Sequence, residues 1–575
     1  MMIPRPTAPA LALAVALPAL ALPALVTPAL AERGGDGELR VLYWQAATVL
    51  NPYLSTGAKD VDPASMVIEP LAIVADDGSL VPVLAAEIPS VENGGIAADF
   101  TSVTWKLKPG LVWSDGSPVT AEDVKFTADY CMDPAFGCAV LAEFEGIASV
   151  EALDAQRVRL NFDAPRYAPL QAFVGGRTPV LQKAQFQPCM GAAGASCTAQ
   201  NFGPVGTGPY RVTEFRPGDV AVFEINPHYR DPAKPAFDRV TVKGGGDAMA
   251  AARAVLESGE YDFAWNLQLP PESVAAMEAQ GKGRLVASFG SMVERIELNQ
   301  TDPSPDLPAE ERSTRAHPHP VLTDPAVRKA LSMAIDRPLL AELTYGPAGK
   351  PTCTIVPVPA AYASGRDDCL AQDIEGAKTL LDEAGWLPGP DGIRAKDGRR
   401  LSLLFQTTVN PVRQDVQALV KQWWSEIGVE TELKAVDGAS FFGGDPGNPD
   451  SQQKFHADAQ MFTDAFYIPD PASFLNKFVC SRIPSAENQW QGNNSVRFCD
   501  EGYDAGIAEL HRSAEPEKRQ EIAKRLTDML TAEGNYLLPL VHRGMVSAHA
   551  GSLQGVAPNG WEGQLWNVAD WSRAE

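Results

Sequence analysis

Several classes of protein are disfavoured by what this sequence does not contain. After residue 31 it has no apolar stretch long enough to span a bilayer, and its Lys and Arg residues do not cluster. Acidic residues outnumber basic residues by 72 to 48. The resulting formal net charge of −24 disfavours nucleic acids and anionic membrane surfaces as partners.

Common catalytic and cofactor motifs are also missing. The Gly/Pro cluster at 203–210 lacks the G-x-x-x-x-G-K-[ST] pattern, and neither G-x-S-x-G nor H-E-x-x-H occurs. The seven histidines show no metal-ligand spacing, and His317 and His319 lie in a Pro-rich segment. We therefore expect no cofactor, no metal and no enzymatic activity. An exported hydrolase that uses a pair of carboxylates is the alternative that spacing leaves open.

Residues 1–31 have the composition of a secretory signal. Arg5 precedes a long Ala/Leu/Val/Pro run that ends in a small-x-small pattern, Ala29-Leu30-Ala31. The six prolines of residues 1–31 argue against a stable membrane-spanning helix, although an uncleaved anchor is the alternative. No Cys precedes Cys131, so a lipid anchor is not indicated. We expect cleavage before Glu32 and a soluble protein in a bacterial periplasm.

The eight cysteines form four close sequence pairs without C-x-x-C spacing. Many connectivities are possible for eight cysteines, and sequence alone does not choose between them. In an oxidising compartment, however, closely spaced cysteines in Pro/Gly-rich segments most often close local loops. We therefore predict disulfides between sequential partners, namely Cys131–Cys138, Cys189–Cys197, Cys353–Cys369 and Cys480–Cys499.

Strand and helix patterns alternate along the chain, which predicts an α/β fold. The chain is also longer than one hydrophobic core usually organises, so we expect at least two lobes. Glu38–Gln45 is predicted as the first strand, and Asp62–Ala72 as a helix capped by Asp62. Asp324–Leu343 is predicted as one helix, and Tyr536–His542 as a last strand that returns to the first lobe.

The stretch Val103–Tyr130 carries the strongest functional signal. Its residues predict an alternating strand, two turns, and a helix whose N-cap is Thr120 with Asp123 three residues later. These local features alone would indicate only a structural scaffold. The whole string, with D-G-S-P-V-T-A-E-D-V after a Trp-containing strand, resembles the signature of an ABC-transporter solute-receptor family. That family is the peptide/nickel-binding family 5, which includes oligopeptide and dipeptide binders.

Further segments resemble the same family, in the same order along residues 38–540. Arg230 is a departure, because the family usually has Trp at that position. The matching segments are GTGPYRV at 206–212, NPHYRD at 226–231, DPAVRKALSMAIDRPLL at 324–340, AKTLLDEAGW at 377–386, VQALVKQWWSEIGVETEL at 416–433 and DAFYIPDPASFL at 464–475.

The resemblance implies a two-lobed periplasmic binding protein of the large peptide-binding type. Two crossover strands would join the lobes, and an extra N-terminal α/β domain would pack on the first lobe. With residues 1–31 as signal peptide, the implied division is 32–60, 201–300 and 536–575 for lobe I, 61–200 for the extra domain and 301–535 for lobe II.

One family position is altered in a way that bears on the ligand. In the family's peptide binders, an Asp four residues before the Pro of the D-Y-x-D-P segment takes the ligand's amino terminus. Counting back from Pro471, that position here is Tyr467. Asp464 is the neighbouring acid that a small loop shift would bring into the role. Asp470 is expected to cap the following helix instead.

Aromatic and polar residues near the predicted cleft complete the set of candidate ligand contacts. Aromatic side chains at strand ends suit a partly apolar pocket, although each one is also a candidate for the core. Arg413 opens a predicted helix and could hold a carboxylate, with a solvated surface Arg as the alternative. The candidates are Trp44, Gln45, Trp265, Asn266, Arg413, Phe462, Asp464, Phe466, Tyr467 and Trp490.

The resemblance implies a monomeric receptor that captures a peptide or peptide-like solute between its lobes. The receptor would deliver that solute to an inner-membrane ABC permease and its ATPase subunits. Two alternatives stay open: a non-peptide solute, such as an oligosaccharide, opine or metal chelate, and a sensor role toward a membrane signalling partner.

Overall fold

Two large β-sheets organise the chain in the computed structural model, which describes residues 1–2, 32–55, 57–443 and 447–574. The predicted signal segment lies almost entirely outside the described residues. The larger sheet defines lobe I. In spatial order its seven strands are Gly283–Ser288, Met545–Ala550, Phe263–Ala264, Glu38–Tyr43, Arg239–Gly244, Val220–Ile225 and Tyr210–Arg216.

The first strand of the chain lies inside the lobe I sheet. Glu38–Tyr43 runs parallel to both of its neighbours, Arg239–Gly244 and Phe263–Ala264. Its side chains at 39, 41 and 43 are buried, and those between them are more exposed, which is the period of a strand with one face on the core. The strands Arg239–Gly244 and Phe263–Ala264 therefore belong to a β-α-β unit, with the helix Ala248–Leu256 in its connection.

The second sheet defines lobe II and has six strands. In spatial order they are Gly349–Pro351, Leu537–Arg543, Val293–Leu298, Ala459–Asp464, Ser402–Thr408 and Glu430–Val436. Ser402–Thr408 pairs in parallel with Glu430–Val436, and the helix Pro411–Glu426 connects them. Lobe II is thus also an α/β unit, as the sequence pattern predicts.

The sheets divide the chain at other points than the predicted boundaries near 301 and 536. Val293–Leu298 is completely buried and pairs with Ala459–Asp464 and Leu537–Arg543 in the lobe II sheet. The chain therefore crosses between the sheets at residues 289–292 and again at Gly544. Residue 301 lies in the loop after a lobe II strand, and the strand near 536 belongs to the lobe II sheet.

Residues 61–200 contribute a smaller sheet and a helix. Ser102–Lys106, Arg157–Phe162 and Ile147–Ala152 form a three-stranded antiparallel sheet beside the helix Ala121–Met132. Thr120 and Asp123 form the predicted capping box at the start of that helix. One hydrophobic core runs from this region through lobe I into residues 466–530 of lobe II.

The described helices differ from the predicted ones at two places. Asp324–Leu343 is two helices, because Asp336 caps a new helix and Pro338 occupies its first turn. Asp62 lies inside a helix and does not cap one. The α-helices are Ala58–Ser65, Ala121–Met132, Lys183–Phe186, Thr198–Phe202, Ala248–Leu256, Pro271–Glu278, Pro325–Met333, Arg337–Thr344, Ile374–Glu383, Pro411–Glu426, Gly438–Phe441, Ala472–Leu475, Glu501–Arg512 and Pro516–Leu530.

Short strand pairs and covalent bridges complete the fold. The structure contains four disulfides, which join the four sequential cysteine pairs of the prediction. Among the described residues, no helix has the length and apolar character needed to cross a bilayer. The remaining short strands are Ala72–Val74 with Leu80–Pro82, Leu387–Pro388 with Arg394–Lys396 and Arg399–Arg400, and Leu553–Gln554 with Ser572–Arg573.

Candidate ligand-binding cleft

Aromatic side chains at the ends of two parallel strands form the lobe I wall of the candidate cleft. Trp265 is buried and stacks on Tyr43, with ring centroids 4.7 Å apart. Trp44 is half-buried and donates from Nε1 to the carbonyl of Asn266 at 3.0 Å. Because parallel strands end at the same edge of a sheet, Trp44, Trp265 and Asn266 lie together there. Gln45 is exposed beside them.

Asp62 accepts hydrogen bonds from the buried side of this wall. Nothing local in the sequence indicates that role. One carboxylate oxygen accepts from Trp265 Nε1 at 3.1 Å, from the Tyr43 hydroxyl at 3.2 Å and from the backbone N–H of Gln564 at 3.2 Å. Burial raises the pKa of Asp62 to about 6, although these hydrogen bonds oppose the shift. Asp62 is therefore a buried carboxyl beside the lobe I wall whose pKa lies above its ordinary value.

Asn266 connects the lobe I wall to the crossover between the lobes. Its backbone is left-handed, with φ of 50°, a conformation in which Asn is enriched among non-Gly residues. Its side-chain oxygen accepts from Nη2 of Arg543 at 2.8 Å, and Nη1 of Arg543 donates to the Thr463 hydroxyl of lobe II at 3.1 Å. Gln268 lies within hydrogen-bonding distance of both Arg543 and Asn410. Side chains of both lobes thus share one polar network at the crossover.

Arg413 belongs to that network but is not a surface residue. Its guanidinium donates from Nε to Glu294 at 2.8 Å and from Nη2 to Thr463 at 3.1 Å. Arg413 and Glu294 are both buried. The pKa of Glu294 is lowered because attraction to Arg413 and Arg543 outweighs the raising effect of burial. The solvated alternative for Arg413 is therefore wrong, and a role toward a ligand carboxylate stays a prediction.

The strand Ala459–Asp464 separates two clusters of side chains. Successive side chains of a strand point to opposite faces of the sheet. Thr463 accordingly faces Arg413 and Glu294, whereas Phe462 and Asp464 face Arg295 on the other side. Among the lobe II candidates, Arg413 thus lies on one face of the sheet, and Phe462 and Asp464 lie on the other.

Asp464 lies in a compact cluster of charges. Its carboxylate is 2.9 Å from Nη2 of Arg295 and 2.9 Å from Nζ of Lys477, and Arg295 also pairs with Glu297 at 2.7 Å. Burial would raise the pKa of Asp464, but attraction to Lys477 and Arg295 outweighs it and holds the pKa well below its usual range. Asp464 is therefore ionised and fully engaged by cations of its own lobe.

Aromatic rings flank this charge cluster. Arg295 Cζ lies 5.0 Å from the ring centroid of Phe462, a buried residue that also contacts Phe441. Phe466 is buried against Phe474 and Trp561, so it belongs to the core that joins lobe II to the C-terminal segment. The predicted aromatic character of the region is present, although much of it lies in the core.

Tyr467 and Trp490, the remaining candidates, lie in different surroundings. Tyr467 is exposed, and Arg177 of the 61–200 region lies over its ring at 4.3 Å from the centroid. Trp490 is buried in the loop closed by Cys480–Cys499, where it packs near His456 and Lys454. Tyr467 thus bridges two parts of the molecule.

Within the described ranges, no three His, Cys, Asp or Glu side chains come together as metal ligands. The candidate residues supply aromatic walls, a buried amide–guanidinium network at the crossover and a charged cluster around Asp464. Such a combination of apolar walls and a few placed polar groups is typical of a small-solute cleft.

Comparison with known proteins identifies the family to which this arrangement belongs. The sequence profile described as bacterial extracellular solute-binding proteins, family 5 middle region, matches residues 79–485. This chain belongs to that family. It is an extracellular solute-binding protein with the two-lobed fold, as the sequence motifs predict.

Individual relatives resemble this chain over most of its length. Protein XP55 of Streptomyces lividans is 28% identical over 85% of this chain and 80% of its own length. The glutathione-binding protein GsiB of Shigella boydii is 25% identical over 81% of this chain and 82% of its own. The oligopeptide-binding protein AppA of Bacillus subtilis, solved with a nonapeptide, superposes with a TM-score of 0.77 at 21% identity, covering 95% and 100% of the two chains.

Proposed function

We propose that this family-5 protein is the exported receptor of an ABC importer for a peptide or peptide-like solute. The observation that carries the proposal is the contact of the two lobes at the crossover, where Arg543 bonds both Asn266 and Thr463. A solute that lies between the lobes and contacts both of them stabilises their closed arrangement. The closed receptor then presents that solute to a membrane permease and its ATPase, and acts as a monomer without catalysis.

The peptide class is supported by the relatives and by the chemistry of the cleft. GsiB is named for glutathione and AppA was solved with a nonapeptide, so both relatives are associated with peptides. In this chain, aromatic rings, amides and charged groups lie close together at the cleft, which suits a solute with side chains and polar ends. Because fold does not settle ligand, a discrete non-peptide solute in the same receptor role is the alternative.

Native mass spectrometry of the protein purified from its own periplasm tests this proposal. A series of bound masses spaced by amino-acid residues supports a peptide receptor. One discrete non-peptide mass keeps the receptor role and replaces the ligand class. Incubation with a peptide panel should give binding without cleavage, because no catalytic role is proposed, and cleavage products would contradict that part. The start of the purified chain at residue 32 would support export by a cleaved signal.

We expect the mature protein to need Trp265 of the lobe I wall for solute binding. Trp265→Ala should weaken binding, because it removes the ring stacked on Tyr43 and leaves Asp62 without one of its donors. Trp566 is a control, since its indole lies in the C-terminal segment and donates to the Ala557 carbonyl. Unchanged affinity in Trp265→Ala would remove this wall from the site.

A further inference from the structure

We propose that the charged cluster at Asp464 accepts an anionic group of the solute, such as a peptide carboxylate, and that Lys477 is the residue that binds it. This inference rests on the proposed function, because it names the chemistry of the solute in the same cleft. The expectation that Asp464 takes a ligand amine is thereby reversed.

Asp464 has no acceptor position left for a ligand amine. An ionised carboxylate offers about four lone-pair positions, two on each oxygen. Oδ1 accepts from Lys477 Nζ at 2.9 Å and from the backbone N–H of Ala465 at 2.8 Å. Oδ2 accepts from Arg295 Nη2 at 2.9 Å and from Lys477 Nζ at 3.2 Å. All four positions are therefore occupied by donors of the protein itself.

The charged cluster around Asp464 already contains equal numbers of positive and negative groups. Arg295 joins Asp464 to Glu297, and Lys477 completes a group of two cations and two carboxylates. Glu297 is held in lobe II by Gln460 Nε2 at 3.0 Å and by the Ser495 hydroxyl. Asp464 is therefore already neutralised by cations of its own lobe, and it has no excess negative charge that would attract a ligand ammonium.

The cluster still has hydrogen-bond donors that other groups of the protein do not fully use. Nε and Nη1 of Arg295 are buried and have no hydrogen-bond partner among the described residues. Lys477 is an ammonium with three donors, of which Asp464 takes part, and 27% of its side chain is exposed. Arg295 is 2% exposed, so its role is to position Asp464, and Asp464 in turn holds Lys477. Lys477 is the cation that a solute can reach.

The position of Lys477 is fixed by its neighbours. Its ammonium lies 4.8 Å from the ring centroid of Phe474, and the adjacent Asn476 donates to Glu145 of the 61–200 region at 3.0 Å. A nearby carboxyl, Glu143, has its pKa raised by burial, while Arg177 and Lys477 partly oppose that shift.

The experiment uses a library of tri- to pentapeptides in three forms: unmodified, N-acetylated and C-amidated. Binding of each form to the full chain is measured by native mass spectrometry and calorimetry. We expect C-amidation to weaken binding about ten- to a hundredfold, since a charge-assisted hydrogen bond is lost. N-acetylation should change affinity less than about threefold, because no protein carboxylate receives the amine.

Lys477→Met gives the second arm, with Lys396→Met as a matched control. Lys396 also pairs its ammonium with a carboxylate, Asp324 at 3.1 Å, and lies near a ring, Trp386 at 5.8 Å. Lys477→Met should weaken binding of the free acids and leave binding of the amides unchanged. Lys396→Met should change neither.

Two outcomes overturn the inference in distinguishable ways. If N-acetylation abolishes binding and Lys477→Met tightens binding of free amines, Asp464 is an amine acceptor from which Lys477 is displaced. Peptide binding, and with it the proposed function, would stand in that case. If no peptide binds in any of the three forms, the proposed function fails and the inference fails with it. The library comparison uses the unmutated protein, so it decides even if Lys477→Met does not fold.

Discussion

Replacing Asp62 by Asn should make the stability of this protein less dependent on pH. Asp62 is buried, and its described partners, Tyr43, Trp265 and Gln564, are all uncharged donors. Burial raises the pKa of its carboxyl to about 6 from an ordinary value of 3.8. Asn has the same shape and keeps an oxygen for those donors, but it never ionises.

The magnitude follows from linkage between proton binding and folding. A shift of this size corresponds to roughly 3 kcal/mol, since each pKa unit is about 1.4 kcal/mol. The folded-state pKa lies above the unfolded value, so the folded protein binds more protons in between. The contribution of Asp62 to stability is therefore fully present below about pH 4 and is lost as pH rises through about 6. Asp62→Asn should gain up to roughly 3 kcal/mol relative to the unmutated protein between pH 4 and pH 8.

Urea unfolding followed by tryptophan fluorescence at pH 4.5, 6 and 8 measures this difference. Asp324→Asn is a control of opposite sign: burial would raise the pKa of Asp324, but bonds from Trp386 and Lys396 lower it. That variant should lose most at high pH, and its deficit should shrink in acid as pH falls through the folded pKa. An Asp62→Asn curve that stays parallel to that of the unmutated protein at all three pH values would refute the reasoning.

Three other outcomes are expected from the structure. Glu294→Gln should cost about 3–5 kcal/mol of stability in urea unfolding, because it leaves the buried guanidinium groups of Arg413 and Arg543 without their carboxylate. Arg413→Met should cost less, because the carboxylate of Glu294 still faces Arg543 in that variant. An equal or larger cost for Arg413→Met would contradict this. Ser substitution of both Cys480 and Cys499 should cost about 3 kcal/mol, measured by thermal unfolding, because it opens a local loop; an unchanged midpoint would argue against that constraint. Gly563→Ala should destabilise the protein, because its Cβ would lie 2.2 Å from Oδ1 of Asp62; full stability would show that the segment adjusts.

Elements defined by local chemistry could be predicted from the sequence. The helix at Ala121–Met132 begins where Thr120 and Asp123 predict a capping box, because that motif is complete within four residues. The hairpin of Tyr210–Arg216 and Val220–Ile225 is also local, because a short turn joins its two antiparallel strands. The boundaries between the lobes could not be predicted in this way. Val293–Leu298 is a lobe II strand because of its partners, which are more than 160 residues distant in the chain.

The candidate site divides along the same line. The proximity of Trp44 and Trp265 follows from local patterns, because each comes after a strand and parallel strands end at one edge. The partner of Arg413 was not identifiable, since Glu294 is 119 residues away and nothing local to either residue announces the pair. Asp62 stands directly before Pro63, a pattern that predicts a helix cap. Its actual donors are supplied by three distant segments of the chain.

The short run Phe462-Thr463-Asp464 explains why the cleft has two kinds of chemistry. Alternation along the strand places Thr463 in the network of Arg413, Glu294 and Arg543, which reaches lobe I. The same alternation places Phe462 and Asp464 with Arg295 on the opposite face. A substitution at 463 should therefore affect how the lobes hold together, whereas one at 464 should affect how Lys477 is positioned for a solute. A one-residue shift in the register of this strand would exchange the two roles.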